Sequence, residues 1–169
     1  MSIRIALAAL VLSGPAVAQA PAAPPCLDDA GFHELDFWLG DWVVRVGDKE
    51  VGRNRIERQL DGCAISEQWT SADGGRGHSL FYRHGGTWKQ VWVTARALAP
   101  GGVKEKTLVE KAADGSLLFE GWVPLPGGGS YRDRTRLSPL AGGKVRQLIE
   151  VSRDGAEWRA VFDAVYSRE

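Results

Sequence analysis

Nine glycine-centred turn signals punctuate the chain, about 12–16 residues apart: Gly47-Asp48, Asp61-Gly62, Asp73-Gly74-Gly75, Gly85-Gly86, Pro100-Gly101-Gly102, Asp114-Gly115, Pro126 to Gly129, Gly142-Gly143 and Asp154-Gly155. Such residues supply the positive φ that tight hairpin loops require. Loops this short join only antiparallel neighbours, because a parallel crossover needs a dozen residues or more. The runs between them predict ten strands, near 39–47, 50–60, 63–71, 77–84, 87–96, 103–112, 116–123, 130–138, 144–152 and 157–168. The expected fold is all-β: an antiparallel up-and-down meander barrel of about ten strands, since closure removes the exposed edges. Upstream, Asp28 or Asp29 is placed to cap a short helical segment over 27–37, with Phe32, Leu35 and Phe37 on its apolar side. That segment is expected to plug one end of the barrel.

The first residues read as a secretory signal peptide, 1–18. Arg4 gives the positive start, Ile5 to Leu12 the apolar stretch, and Ala16-Val17-Ala18 a small-x-small cleavage site. The apolar stretch is too short for a membrane span, and Gly14-Pro15 interrupts it. A Pro/Ala-rich extended lead over 19–33 and a barrel domain over 34–169 complete the expected organisation. Export makes the two cysteines, Cys26 and Cys63, an expected disulfide. The whole chain carries 21 Lys+Arg and 21 Asp+Glu. Removing the signal takes one arginine and no acid, so the mature formal charge is 20 − 21 = −1. That balance argues against nucleic acid and against a polybasic membrane contact. A membrane-spanning barrel is also unexpected, because one face of the second strand reads Arg53, Arg55, Glu57, Gln59 and the eighth carries Arg132, Arg134 and Arg136.

Alternation assigns faces within the strands. Trp88, Gln90 and Trp92 share one face of the fifth strand, opposite Val91, Val93 and Ala95. Cys63, Ile65, Glu67 and Trp69 align in the third strand, and Val145, Gln147, Ile149 and Val151 in the ninth. Trp158, Ala160, Phe162, Ala164 and Tyr166 align in the last. The inner wall is therefore expected to be aromatic and aliphatic, interrupted by Asn54, Glu67, Gln90 and Gln147. A buried polar group must be hydrogen-bonded or used. Several converging on an aromatic space suggest a ligand site, formed by those four residues with Trp69, Trp88, Trp92 and Tyr166. The alternatives are plain core packing for the tryptophans and, for Glu67, an ion pair with Arg134 or Arg136. No residue is assigned as catalytic, and Glu67 is the one weak candidate for an acid or base.

Phe37-Trp38-Leu39-Gly40-Asp41-Trp42 is the strongest local motif. Its Gly40-x-Trp42 resembles the signature of the lipocalin and fatty-acid-binding (calycin) superfamily, where the tryptophan closes a barrel end. The resemblance implies that an arginine of the last strand, here Arg168, stacks on Trp42. With Glu67-Gln68-Trp69, Trp88-Lys89-Gln90-Val91-Trp92, Val145-Arg146-Gln147 and Phe162 to Tyr166, the chain also resembles a group of uncharacterised exported bacterial proteins of lipocalin-like type. The related nitrobindins bind haem through a C-terminal histidine. This chain has no histidine after His84, so that site is not carried over and no cofactor is expected.

Zinc-ligand spacing is absent. His78 and His84 lie about 20 Å apart along one strand, and His33 falls in the N-terminal segment. Gly77-His78-Ser79 leads into a strand, unlike a nucleophile elbow. The expected function is that of an exported, periplasmic or secreted, barrel binding a small hydrophobic molecule. An isomerase or cyclase using Glu67 is the first alternative. A ligand-free module docking an envelope protein through Val91, Val93 and Ala95 is the second.

Overall fold

The computed structural model describes residues 26–168. The expected signal peptide and most of the lead lie outside them. Within that range ten antiparallel strands follow one another round a closed barrel: β1 (Gly40–Val46), β2 (Lys49–Gln59), β3 (Ala64–Ser71), β4 (Arg76–His84), β5 (Thr87–Thr94), β6 (Val103–Lys111), β7 (Leu117–Pro124), β8 (Ser130–Leu140), β9 (Lys144–Ser152) and β10 (Arg159–Arg168). Every strand pairs with its neighbours in sequence. The barrel closes where β1 meets β10, with Trp42 opposite Arg168 and Val44 opposite Tyr166. The expected meander is thus the observed one, and each predicted turn falls between two strands.

The N-terminal segment is not one helix but two 3-10 turns, Ala30–His33 and Asp36–Trp38. Asp29 caps the first by accepting from the Gly31 N–H. Leu35 and Trp38 have no exposed surface, and Phe32 and Phe37 pack against the same core. The segment stoppers the barrel end where β1, β3, β5 and β9 begin and β10 ends. Trp38 stacks on Trp42 at 6.1 Å and lies 4.7 Å from Tyr166, centroid to centroid. The Trp42 Nε1–H donates to the Trp38 carbonyl at 3.0 Å, and the Trp88 Nε1–H to the Gly31 carbonyl at 3.0 Å.

The Arg168 guanidinium covers Trp42 at 4.6 Å and donates to the Leu39 carbonyl at 3.0 Å. Gly40 makes this possible. Its φ is +137°, and a Cβ there would lie 2.3 Å from Arg168 Nη1.

A Cys26–Cys63 disulfide ties the stopper to the start of β3 across 37 residues of sequence. Chain entropy for a loop of that length gives roughly 4 kcal/mol. Replacing both cysteines by serine is expected to cost about 2–4 kcal/mol in a urea titration. A cost under about 1 kcal/mol would mean that the stopper docks by packing alone.

One face assignment is corrected by a bulge. Between Ala160 and Phe162 the β10–β9 register shifts by one residue, which moves everything before Val161 to the opposite face. Trp158, expected inside, lies outside, where the Arg134 guanidinium stacks on it at 3.9 Å. Ala160 is exposed for the same reason. The outer wall also carries ion pairs of Arg132 with Glu120, Arg134 with Glu150 and Arg136 with Glu110. No helix among the described residues is long and apolar enough to cross a membrane.

Candidate functional site

The stopper closes one end of the barrel, over a packed core that includes Trp42, Phe81, Trp88 and Phe119. Towards the other end, where the loops 72–75, 95–102, 125–129 and 153–158 project, the lumen holds a cavity of about 260 Å³. Tyr166 forms part of its floor and Trp69, Trp92 and Phe162 its aromatic wall. Trp69 and Phe162 meet edge to face at 6.2 Å. Glu67, Gln90, Gln147, Thr135, Lys104 and Lys106 supply the polar wall. Lys104 and Val161 border both this cavity and a wider depression at the mouth.

Of the eight residues expected to contact a ligand, six line the cavity: Glu67, Trp69, Gln90, Trp92, Gln147 and Tyr166. The other two stand elsewhere. Trp88 shares their face but sits too far down the barrel axis, with no exposed surface, beneath the stopper. Asn54 also faces inward, level with Trp42 and Trp69, but does not line the cavity, and its Nδ2 donates to Glu67 Oε1 at 2.7 Å.

Glu67 is 3 % exposed. Neither Arg134 nor Arg136 is its partner. Alternation turns both outwards, to Glu150 at 2.7 Å and Glu110 at 3.1 Å, while Glu67 points inwards. Burial pushes the Glu67 carboxyl above its ordinary range. Hydrogen bonds from Ser79 and Asn54, and the Lys106 charge, pull the other way without winning. The Tyr166 hydroxyl donates to Gln147 Oε1 at 2.6 Å, and burial raises its pKa well above the usual value. Gln90 Nε2 donates to Ser79 Oγ at 2.9 Å. Gln90 Oε1 is a buried acceptor with no partner among the described residues.

The sequence reading missed a buried charged cluster on the facing wall. Asp133 on β8 has no exposed surface. It forms ion pairs with both Lys104, at 2.6 Å, and Lys106 on β6. Lys106 also donates to Thr135 Oγ1. The lysines reach Asp133 across β7 at Gly121, which pairs with Asp133 and has no side chain to intervene. A Cβ at Gly121 would also collide with the Glu105 carbonyl, at 1.9 Å. Burial depresses the Lys106 pKa from 10.5 to about 8, the Lys104 charge adds to the depression, and Asp133 resists it. One signal for the cluster was present in the sequence: alternation with Arg132, Arg134 and Arg136 places Asp133 on the inner face.

Of the remaining residues singled out in the sequence, His33 bonds Asp36 at 2.8 Å and the Leu27 carbonyl at 2.9 Å. Hydrogen bonds to that carbonyl and to Asp36 raise its pKa. His78 and His84 are exposed, and Val93 is 42 % exposed on the outer wall. No protein-family model matches the chain, and no curated protein is significantly similar to it.

Proposed function

We propose that this is an exported barrel of lipocalin-like type that binds one small, largely apolar molecule in its lumen. A single observation carries the reading: a cavity of about 260 Å³ with an aromatic wall and a convergent set of polar side chains inside a closed barrel. An engineered protein cavity of about 150 Å³ already accepts benzene, so this one has room for a substituted one- or two-ring compound. Trp69, Trp92 and Phe162 would take the apolar body. Glu67 as a donor, and Gln90 Oε1 as the unmatched acceptor, would orient a polar end. Burying about 200 Å² of apolar ligand surface contributes on the order of 5 kcal/mol before ordering costs, which corresponds to weak or moderate affinity. The signal-like N-terminus supports export, and the disulfide is compatible with an oxidising compartment.

The test is a calorimetric titration with 2-naphthol and 2-methylnaphthalene, in wild type and in Ile149→Trp. Ile149 lines the cavity, and an indole there would occupy it. Saturable binding, weakened about tenfold or more in the variant (about 1.4 kcal/mol), is expected. Affinity unchanged by Ile149→Trp, or no binding of either probe, removes the lumen as the site.

One observation favours a second reading on the same cavity. Glu67 has no arginine partner among the described residues and is held towards its protonated form by burial, as an acid–base catalyst of isomerisation requires. Exchange of the α-hydrogens of 2-tetralone for deuterium, faster with wild type than with Glu67→Gln, would support it. Equal rates would leave the carrier reading alone.

A further inference from the structure

We propose that Lys106 is a ligand-bonding amine: the lumen captures small apolar aldehydes as a protonated imine on Lys106 Nζ, with Asp133 as the counter-ion. The proposal rests on the lumen reading and adds covalent chemistry to it.

Lys106 is 5 % exposed and lines the cavity. Its ammonium group is not matched one to one with an acid. Asp133, a single carboxylate, serves two ammonium groups, Lys104 at 2.6 Å and Lys106. Desolvation together with a neighbouring cation is the arrangement that frees a lysine to act as a nucleophile near neutral pH. Around Lys106, β6 contributes Lys104, β8 contributes Asp133 and Thr135, and β3 contributes Glu67 across the lumen. β5 presents the neutral Gln90 and Trp92, β7 presents Gly121, and Tyr166 of β10 stays protonated. Desolvation, helped by the Lys104 charge, outweighs Asp133 and Glu67 and leaves Lys106 with a pKa of about 8.

The chemistry closes without an oxidant or reductant. The ammonium gives up one proton, and the nitrogen lone pair attacks the aldehyde carbon. The carbonyl π pair moves to oxygen, which takes up protons and leaves as water. In total, one ammonium and one aldehyde give one protonated imine and one water. The positive charge returns to nitrogen in the product, and while Lys106 is neutral Asp133 keeps Lys104 as its partner. An unpaired buried carboxylate, the costly outcome, never forms. Trp69, Trp92 and Phe162 then cover the apolar remainder of the aldehyde and limit hydrolysis.

The experiment is reductive trapping. The full mature protein is incubated with 2-naphthaldehyde and cyanoborohydride at pH 7.5, and the adducts are mapped by peptide mass spectrometry. Lys106 is expected to label at least about tenfold faster than the exposed Lys49 and Lys144, because its pKa of about 8 leaves a substantial share of free amine at that pH. Mapping separates Lys106 from the α-amino group, which titrates in the same range. The labelling rate should rise with a midpoint near pH 8. Lys106→Met should remove the adduct. Lys104→Met, which removes the neighbouring cation, should slow it.

Binding of 2-methylnaphthalene, which has no aldehyde, is measured in parallel. Hydrocarbon binding without a Lys106 adduct overturns the imine and leaves the lumen reading standing. Failure of both overturns both. Lys106 labelling no faster than that of the surface lysines overturns the proposal as well.

Discussion

Asp133→Asn is expected to destabilise the barrel by about 3–5 kcal/mol at pH 7, the cost of removing one partner from a buried ion pair. Asp133 is fully buried and is the shared carboxylate of Lys104 and Lys106. Its loss leaves the buried Lys106 ammonium with the Thr135 hydroxyl but without its ion-pair partner. The effect carries a pH signature whose sign follows from Lys106. In the native protein its pKa is about 8, against 10.5 in the unfolded chain. Between those values the unfolded chain binds more protons, so native stability rises with pH across that window. At about 1.4 kcal/mol per pH unit, the gap from 10.5 to about 8 is worth at most about 3–4 kcal/mol. That stability is fully present above 10.5 and is lost as pH falls to about 8.

Without Asp133 the native value drops further, so the rise begins at lower pH and the variant recovers part of its deficit by pH 9. Glu67 acts in the opposite sense. Its native pKa is raised, so its contribution is present below the unfolded value of about 4.3–4.5 and is lost as pH rises through the native value. Urea midpoints at pH 6, 8 and 9.5 for wild type, Asp133→Asn and Lys106→Met separate these effects. Lys106→Met should be flat between pH 8 and 9.5 where wild type climbs. An Asp133→Asn protein within about 1 kcal/mol of wild type at pH 7 would mean that water reaches the cluster and that Lys106 is not desolvated.

The sequence carried the barrel more fully than the site, for a physical reason. A hairpin is written locally. Asp73-Gly74-Gly75 or Gly142-Gly143 dictates a reversal whatever the rest of the chain does. Glu67, Gln90 and Gln147 were legible as inward polar residues because each interrupts an apolar alternation. Lys104, Lys106 and Asp133 gave no such contrast. Their neighbours Glu105, Arg132 and Arg134 are charged too, so alternation could give Asp133 a face but no apolar background marked that face as buried. What permits the cluster is non-local: two lysines and an aspartate on β6 and β8, with Gly121 between them. Alternation gives a face but not a depth, which is why Trp88 and Trp92 seem equivalent in sequence. In the fold one lies beneath the stopper and the other on the cavity wall. A single extra residue at Val161 defeats alternation altogether and sends Trp158 outside.

Trp38→Ala should cost about as much as losing Asp133, 3–5 kcal/mol, through packing and with no charge involved. Trp38 has no exposed surface, lies between Trp42 and Tyr166, and anchors the stopper over the closed end. Truncation leaves an indole-sized void that the rigid barrel rim cannot collapse to fill. For a domain of this size the loss corresponds to a fall of roughly 8–20 °C in Tm. Trp38→Phe isolates the cause. The Trp38 Nε1–H is buried with no partner among the described residues, so the phenyl ring forfeits volume but no hydrogen bond. The Trp42 Nε1–H bond to the residue 38 carbonyl survives either change, because it uses the backbone. Trp38→Phe is therefore expected to keep more than half of the stability that Trp38→Ala loses. Because Tyr166 is at once the neighbour of Trp38 and part of the cavity floor, Trp38→Ala should also weaken 2-methylnaphthalene binding, while Trp38→Phe leaves it close to wild type. If Trp38→Ala folds with wild-type stability, the stopper is not what closes the barrel, and the disulfide alone holds it in place.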